Sequence, residues 1–496
     1  MSSARTIAKN AGFLLASQLI TWALALILAI FLPRYLGPEI MGEISIANAI
    51  WLIMTVLITF GMDLHLTKMV AREPHRASAL MGTSLSIRIV FSLIACVLVG
   101  LYVTIMGYGA RATLIIVILG VSYLLTTLSS TLNAVLTGLE RMGSLSATTI
   151  ITKTILTVAS VLLILLDVSV YPIVALNIVA SIVGIGILLY VFPREHPIRL
   201  QFNWSDAWAM IQTSKQYLVT ALVLVAYQQI DKLFIVAMVD TRTVGWYGTA
   251  MGLFGTLMFI PGIFGTAVFP ALARSYADGD DKTNIIARRG LDLMFLVSVP
   301  IGLGLLVISR PLILLLYGEE FLPSGAILGM LGVVLIFTYL NTFLGQLLIS
   351  SDRTGPWNTV MLCAVLLTVP LDLILVPWTR DTFGNGALGG VTAFLFTEAI
   401  MVFGAVLLLP KGTLHWSNVR TGALTLVCGL LMVASTWWWR EQMMFLAIIV
   451  GAAVYCAAVL LLRVISREDL LLLRDACGML IGRLRRGKQA PVGAGD

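Results

Sequence analysis

The chain has 496 residues, of which 59% are hydrophobic and only 11% are charged, and its mean hydropathy is +0.98. Soluble globular proteins are usually about 45–50% apolar and about 25% charged. This composition excludes a soluble enzyme, a disordered or collagen-like chain and a nucleic-acid-binding protein, and it predicts a protein that lipid solvates. The five cysteines are scattered without a CxxC pair, so neither a disulfide framework nor a zinc site is indicated.

Fourteen stretches are long and apolar enough for transmembrane helices, which need about 20 residues each. The first follows Arg5 and Lys9 and is too long for the core of a cleaved signal, so we expect it to be retained. The predicted fold class is all-α, a polytopic integral membrane protein. The predicted spans are 11–32, 42–62, 81–105, 112–138, 148–167, 171–193, 215–240, 247–273, 288–309, 324–350, 358–377, 388–410, 417–438 and 443–463.

The basic residues predict the orientation, because cytoplasmic loops carry an excess of Lys and Arg. With the N-terminus in the cytoplasm, 23 of the 32 Lys and Arg residues fall on the cytoplasmic side, six on the opposite side and three within spans. An odd number of spans would spoil this bias. We therefore expect both termini in the cytoplasm, and a net charge of +7 that reflects topology rather than nucleic-acid binding.

The predicted spans divide into two blocks of six and a final pair. The longest connection within the helical body carries Trp204 and Trp208 on one helical face, which predicts an amphipathic helix at the membrane interface. Shifting the first block by about 203 residues pairs Gly42 with Gly245, which suggests a parallel internal repeat. The predicted units are an N-lobe at 1–193, the linker at 194–214, a C-lobe at 215–410, two further helices at 411–465 and a basic amphipathic cytoplasmic tail at 466–496.

Ionisable side chains inside spans are costly and usually face a cavity or a partner. Glu398 lies nearest the middle of its span, and Lys232 and Arg88 lie roughly 10 to 12 Å deep at 1.5 Å per residue. Lys153 lies closer to the cytoplasmic end, where snorkelling is an alternative. Asp372 lies near the outer end of its span, where it could cap the helix or snorkel.

The seventh span carries a polar stripe. Gln228 precedes Lys232 by one helical turn, and Gln229 is next to Gln228. Asp231 and Lys232 are adjacent, so their side chains point about 100° apart and an ion pair between them is not expected. The alternative role for this stripe is hydrogen bonding between helices. No HExxH, GxSxG or GxxxxGKS motif is present, so the residues indicate no enzyme.

Several strings resemble segments of polysaccharide flippases, and they follow one another in the same order over roughly residues 8–360. The chain is identified by this resemblance as a member of the polysaccharide transporter (Wzx-type) family of the multidrug/oligosaccharidyl-lipid/polysaccharide exporter superfamily. The strings are PRYLGPEIMGEISIANA (33–49), FGMDLHLTKMVARE (60–73), QQIDKLFIVAMVDTRTVGWYGTAMGL (228–253), FPALARSYADGD (269–280) and PLILLLYGEEFLPSGAILGMLG (311–332).

The resemblance implies two six-helix lobes around a central cationic cavity, plus two extra helices. It implies alternating-access translocation of an undecaprenyl-pyrophosphate-linked oligosaccharide to the outer leaflet of a bacterial inner membrane, for surface polysaccharide such as O-antigen, capsule or exopolysaccharide. No cofactor is expected beyond a coupling ion, H⁺ or Na⁺, and the expected partners are the lipid-linked oligosaccharide, membrane lipid and the polysaccharide polymerase machinery.

By position, Arg34, Asp231 and Lys232 match the family pattern, whereas Arg88 and Glu398 are inferred from their depth. The coupling ion is expected at Glu398 or Asp231. The predicted pyrophosphate-binding cavity residues are Lys232, Arg88, Arg34, Lys153 and Gln228.

Four other functions stay open on the sequence. A flippase for lipid II or for a teichuronic or capsular precursor would have the same fold and a different headgroup. A cation-coupled drug antiporter of the same superfamily should use an acidic cavity, whereas the cavity here leans basic. A polymerase or glycosyltransferase acting outside would want a large outer loop, and the outer loops are short. A scaffold that has lost transport is disfavoured by the charges within the spans.

Overall fold

The computed structural model describes residues 2–192, 202–265, 272, 275, 282–410 and 412–464, with side chains from residue 17 onward except 282 and 283. The predicted tail at 466–496 and the linker residues 194–201 lie outside the described residues. The described part holds fourteen α-helices and no strand. They are α1 (Ser2–Thr59), α2 (Met62–Arg72), α3 (Ala77–Met106), α4 (Ala110–Gly138), α5 (Met142–Leu165), α6 (Val170–Val191), α7 (Trp204–Met238), α8 (Thr241–Leu257), α9 (Lys282–Tyr317), α10 (Leu322–Ser350), α11 (Thr354–Phe383), α12 (Ala387–Leu408), α13 (Trp416–Thr436) and α14 (Met444–Leu461).

Thirteen segments of the described part are long and apolar enough to cross a membrane. The first, Ser17–Arg72, has 56 residues, which is about 84 Å of helix against roughly 30 Å of bilayer hydrocarbon. It breaks at Gly37, where φ is 75° and ψ is 169°, between Pro33 and Pro38. Glycine tolerates this backbone conformation, and each proline removes a helix hydrogen bond. The segment therefore supplies two crossings, and the prediction of an all-α polytopic membrane protein is confirmed.

Several helices begin earlier than predicted, and two of them show why. α5 begins at Met142, six residues before the predicted start at 148, because its Ser- and Thr-rich first turns are helical although they are polar. α7 runs without interruption from Trp204 to Met238, since this stretch contains no glycine or proline. The predicted linker helix is therefore the first part of α7. It is amphipathic as predicted, with Trp204 71% and Trp208 56% exposed.

The first part of α7 packs on α2 and α3. Met210 of α7 is buried in the same apolar cluster as Leu66 of α2. Nearby, the Arg76 guanidinium forms an ion pair with Asp206 at 2.8 Å. The second part of α7 packs on α11, in the half of the molecule formed by the later helices. One helix thus contacts both sets of six spans, while α13 and α14 pack on α9. The domain boundaries and the parallel repeat stay predictions.

Arginines on the predicted outer side have local partners, which weakens their contribution to the charge of that side. Five of the six have a carboxylate or an aromatic ring nearby in the described part of the chain. The predicted orientation is consistent with this pairing and stays a prediction. The contacts are Arg111 with Glu39 and Glu43 at 2.6 and 2.9 Å, Arg310 with Glu441 at 3.1 Å, Arg380 with Asp381 at 2.8 Å, and Arg242 and Arg440 over Trp246 and Trp437.

Two glycines form the crossing between the second half of α1 and α8. A Cβ atom on Gly42 would lie 1.9 Å from the carbonyl oxygen of Thr241, and one on Gly245 would lie 1.8 Å from that of Pro38. The backbones of the two helices therefore touch. Gly42 and Gly245 are the pair that the sequence shift relates, so positions proposed as equivalent meet at the contact between the two sets of helices.

Replacing Gly245 by Val should force α1 and α8 apart, because no space exists for the new side chain. We expect severalfold faster labelling of Cys in a Ser45→Cys background by a membrane-impermeant maleimide, since Ser45 is only 8% exposed at this contact. The matched control is Gly252→Val on the same helix, where a Cβ would meet no atom within 4 Å. Equal labelling of the two variants would contradict the tight crossing.

Candidate functional site

The second half of α7 has two different faces. Tyr227 and Asp231 are one turn apart and buried, whereas Gln228 is exposed and Lys232 is partly exposed. The Lys232 ammonium donates a hydrogen bond to the side-chain oxygen of Gln229 at 2.7 Å. Gln228 and the ammonium group of Lys232 therefore lie on the more exposed face of α7, while Gln229 and Asp231 are buried.

Two carboxyl groups, those of Asp231 on α7 and Asp372 on α11, are buried where these helices pack and are close enough to influence each other electrostatically. Asp231 is 4% exposed and Asp372 is fully buried. The Tyr247 hydroxyl of α8 donates to Asp231 Oδ2 at 2.6 Å. Among the described residues, Asp231 Oδ1 and both oxygens of Asp372 have no hydrogen-bond donor. Because carboxylates only accept hydrogen bonds, two of them cannot satisfy each other without a proton or a cation between them.

Glu398 of α12 belongs to a neighbouring buried cluster in which both of its carboxylate oxygens have donors. The Asn341 amide of α10 donates to Glu398 Oε2 at 2.7 Å and to the Glu398 carbonyl at 2.9 Å. The Tyr227 hydroxyl donates to Glu398 Oε1 at 3.1 Å. Since Tyr227 precedes Asp231 by one turn, the two clusters adjoin along α7. Glu398 differs in this respect from Asp372, and its role in ion coupling stays a prediction.

Asp372 is the residue of this site whose position the sequence analysis misjudged. It is neither a cap nor a snorkelling group, because α11 continues to Phe383 through Pro377 and leaves Asp372 buried within the helix. Bundles tolerate proline at such depth. Asn341 and Tyr247 were also missed. Each lies among other polar residues of its span, so the sequence neither singles it out nor reveals its partner.

Arg88 lies within the N-terminal helices and not on an accessible cavity wall, contrary to expectation. Its guanidinium is fully buried and forms an ion pair with Asp63 of α2. It also donates to the Thr127 carbonyl of α4 at 2.7 Å and to the Ser130 hydroxyl. These partners neutralise the charge and tie α2, α3 and α4 together. A headgroup could reach Arg88 only if these contacts were broken.

Lys153 and Arg34 are both exposed. Arg34 precedes the break of α1 at Gly37. Lys153 lies near the middle of α5, because that helix begins earlier than predicted. It lines a polar pocket of about 330 Å³ between α4, α5 and α6, to which Asn48 of α1 also contributes.

An apolar groove of about 580 Å³ lies between α1, α8, α9, α13 and α14. Leu26 and Ile30 line it from the first half of α1, and Ala447 and Ile448 line it from α14. Within the described chain, the hydroxyl-bearing side chains of its lining are two threonines. In the part of the chain that the structure describes, no group of three or more His, Cys, Asp or Glu side chains could hold a metal ion.

Residues 31–326, more than half of the chain, match the sequence profile of a family described as polysaccharide biosynthesis protein. The chain belongs to this polysaccharide biosynthesis protein family. The matched region of this family member contains Arg34, Lys153 and Lys232, whereas Asp372 and Glu398 lie beyond it. The resemblance stated from the sequence strings is therefore confirmed. No curated protein matches the chain.

Solved structures with the same fold are membrane transporters. The lipid II flippase MurJ, in an inward closed conformation, has a TM-score of 0.72 and 15% identity, over 92% of this chain and 99% of its own. The eukaryotic MATE transporter AtDTX14 has a TM-score of 0.54 and 14% identity, over 84% and 98%. The MATE multidrug transporter DinF-BH has a TM-score of 0.57 and 17% identity, over 82% and 94%. At these identities the likeness concerns the fold, and it agrees with the prediction of a multi-pass transporter rather than an enzyme.

Replacing Arg88 by Leu should destabilise the protein rather than remove a ligand contact. Breaking a fully buried ion pair costs about 3–5 kcal/mol. The side chain of Asp63 is 41% exposed, so we expect a smaller loss of about 1–3 kcal/mol. Thermal unfolding in detergent measures this, with the exposed Arg141→Leu as the control. Unchanged stability combined with weaker substrate binding would instead assign Arg88 to the substrate site.

Proposed function

We propose that this protein is a flippase that moves undecaprenyl-pyrophosphate-linked oligosaccharide from the cytoplasmic to the outer leaflet of a bacterial inner membrane, for surface polysaccharide biosynthesis. Membership of a polysaccharide biosynthesis family supports the glycan. The excess of basic residues on one side supports an orientation with both termini in the cytoplasm. The product would be handed to polysaccharide polymerase machinery outside.

The observation that carries the proposal is the apolar groove between α1, α8, α9, α13 and α14. A groove with this apolar lining suits the isoprenoid chain of a lipid carrier. Part of the lining comes from α13 and α14, the final pair of spans beyond the two blocks of six. A water-soluble drug would not need such a groove. The polar pocket beside Lys153 lies elsewhere, on α4, α5 and α6. Only an amphiphilic substrate would use both surfaces.

The headgroup poses the physical problem that the protein solves. An isolated charge buried in hydrocarbon costs many kcal/mol, so a pyrophosphate does not cross a bilayer unaided. A polar path between the two sets of helices removes this cost while the lipid tail stays in an apolar environment. Lys232, which Gln229 orients on the accessible face of α7, would attract the pyrophosphate. Rocking about the α1–α8 crossing would then expose the headgroup to the other side.

A coupling cation, Na⁺ or H⁺, would bind at the Asp231–Asp372 pair rather than at Glu398. Among the described residues, the three carboxyl oxygens of this pair that lack donors are buried together, whereas both oxygens of Glu398 already have donors. A cation would therefore stabilise the packing of α7 on α11. It biases transport only if its affinity differs between the two states of the protein.

The test of the flippase proposal is transport in liposomes, using a fluorescent undecaprenyl-pyrophosphate oligosaccharide whose headgroup is scored from each leaflet. Wild type should transport, and Lys232→Ala should slow transport about tenfold or more, in line with a charged hydrogen bond of about 1.5–3 kcal/mol. The matched control is Lys215→Ala on the same helix, because its ammonium also donates to a glutamine three residues back, at 3.1 Å.

Two further substrates separate the alternatives in the same liposomes. Transport of lipid II in place of the oligosaccharide would favour a lipid II flippase, and export of a cationic drug would favour an antiporter. If wild type moves none of the three, the flippase proposal fails. If Lys232→Ala and Lys215→Ala transport equally well, Lys232 is not the headgroup residue.

The coupling site predicts a second set of variants. Asp372→Asn supplies a neutral donor to Asp231 and removes the need for a cation, so we expect transport that no longer responds to an imposed Na⁺ or H⁺ gradient. Imposing the two gradients separately identifies the ion. Glu398→Gln is the comparison, because its amide oxygen can still accept from Asn341 while its amino group can donate to the Tyr227 hydroxyl, and gradient dependence should remain. Loss of gradient dependence in Glu398→Gln alone would move the ion site to Glu398.

A further inference from the structure

Helix packing explains only part of the lining of the polar pocket between α4, α5 and α6. Polar side chains in membrane bundles usually hold helices together by hydrogen bonds between them. The Ser181 hydroxyl of α6 does so, at 3.3 and 3.4 Å from the hydroxyls of Ser122 and Thr126 on α4. Most lining hydroxyls also bond to their own helix. Thr126, Ser129 and Thr152 each donate to a backbone carbonyl one turn back, at 2.9, 3.2 and 2.9 Å. Thr149 does the same, at 2.9 Å.

These hydrogen bonds leave the pocket lined by many acceptors and few donors. A hydroxyl that donates to its own helix keeps its lone pairs, so it presents an acceptor to the pocket. The amide of Asn133 also lines the pocket, and the side-chain oxygen of Asn48 accepts from Tyr123 at 3.1 Å, which leaves its amino group as a donor. Many acceptors and a few donors suit a ligand that carries many hydroxyl groups.

The charge of the pocket restricts the class of ligand further. Within the described part of the chain, Lys153 is the one charged side chain in the lining, and no carboxylate contributes to it. The exposed side chain of Lys153 lies near the middle of α5 and lines the pocket, so its ammonium can reach a ligand there. A cavity of about 330 Å³ is at the small end of ligand pockets. It fits a single sugar next to an anionic group better than a long oligosaccharide.

We propose that this pocket binds the first sugar of the lipid-linked headgroup, with Lys153 pairing with the pyrophosphate that carries it. The inference rests on the proposed function and adds which part of the substrate the pocket recognises. Leu119, Leu156 and the Tyr123 ring supply apolar surface for the C–H face of the sugar. The distal sugars extend away from the pocket, so the subsite tolerates different oligosaccharides on the same first residue.

The test is equilibrium binding to the full chain in nanodiscs, with undecaprenyl pyrophosphate and its glucose, galactose and N-acetylglucosamine forms as probes. Wild type should bind at least one sugar form more tightly than the bare carrier. Thr152→Val and Asn133→Leu should weaken that form about threefold to tenfold, the value of a single hydrogen bond, and leave the bare carrier unchanged. Lys153→Met should weaken the binding of that sugar form and of the bare carrier alike.

The matched control is Thr359→Val on α11, whose hydroxyl bonds to its own helix at 3.2 Å but lies outside this pocket. It should leave every probe unaffected. Wild type that binds all probes equally, or pocket variants that behave as Thr359→Val does, would overturn the sugar subsite while the flippase proposal stands. Wild type that binds none of the probes would overturn both. Equal size-exclusion profiles of all variants establish that folding is retained.

Discussion

Hydrocarbon offers no hydrogen bonds, and this constraint governs where polar atoms lie in the protein. Backbone groups are satisfied by helices, and buried hydroxyls bond one turn back along their own helix, as Thr368 and Thr397 do. Arg88 is buried with a carboxylate, a carbonyl and a hydroxyl around it. Fourteen buried side-chain atoms lack a hydrogen-bond partner among the described residues, and three of them are carboxyl oxygens of Asp231 and Asp372. Carboxylates are the costliest of these groups to bury without a ligand.

α7 connects this carboxyl pair to the rest of the molecule. Its first part packs on the N-terminal helices through Met210 and the Asp206–Arg76 ion pair. Its second part carries Asp231 inward and Lys232 outward. A relative movement of the two sets of helices about the Gly42–Gly245 crossing must therefore strain or shift α7. The proposed cation and headgroup sites share the helix that such a movement would affect most.

The proposed amphiphilic substrate would account for the presence of both a polar pocket and an apolar groove. α13 and α14 line the groove, and these two helices lie outside the two blocks of six spans. The pocket lies on α4, α5 and α6. With the two regions on different helices, the tail of the proposed substrate would remain in an apolar environment while the headgroup moves. The charged headgroup would then avoid the free-energy cost of burial in hydrocarbon.

The sequence by itself determined the membrane class, the helix count, the break before the second span and the family, because these follow from hydrophobic length, proline and glycine positions and local strings. It also identified Asp231, Lys232 and Gln228 on one helix, since spacing within a helix is local. Tertiary structure alone decided that Arg88 is paired with Asp63, that Lys153 lines a pocket and that Asp372 meets Asp231. Those facts depend on which distant helices become neighbours, and periodicity along one helix carries no information about the partner across the interface.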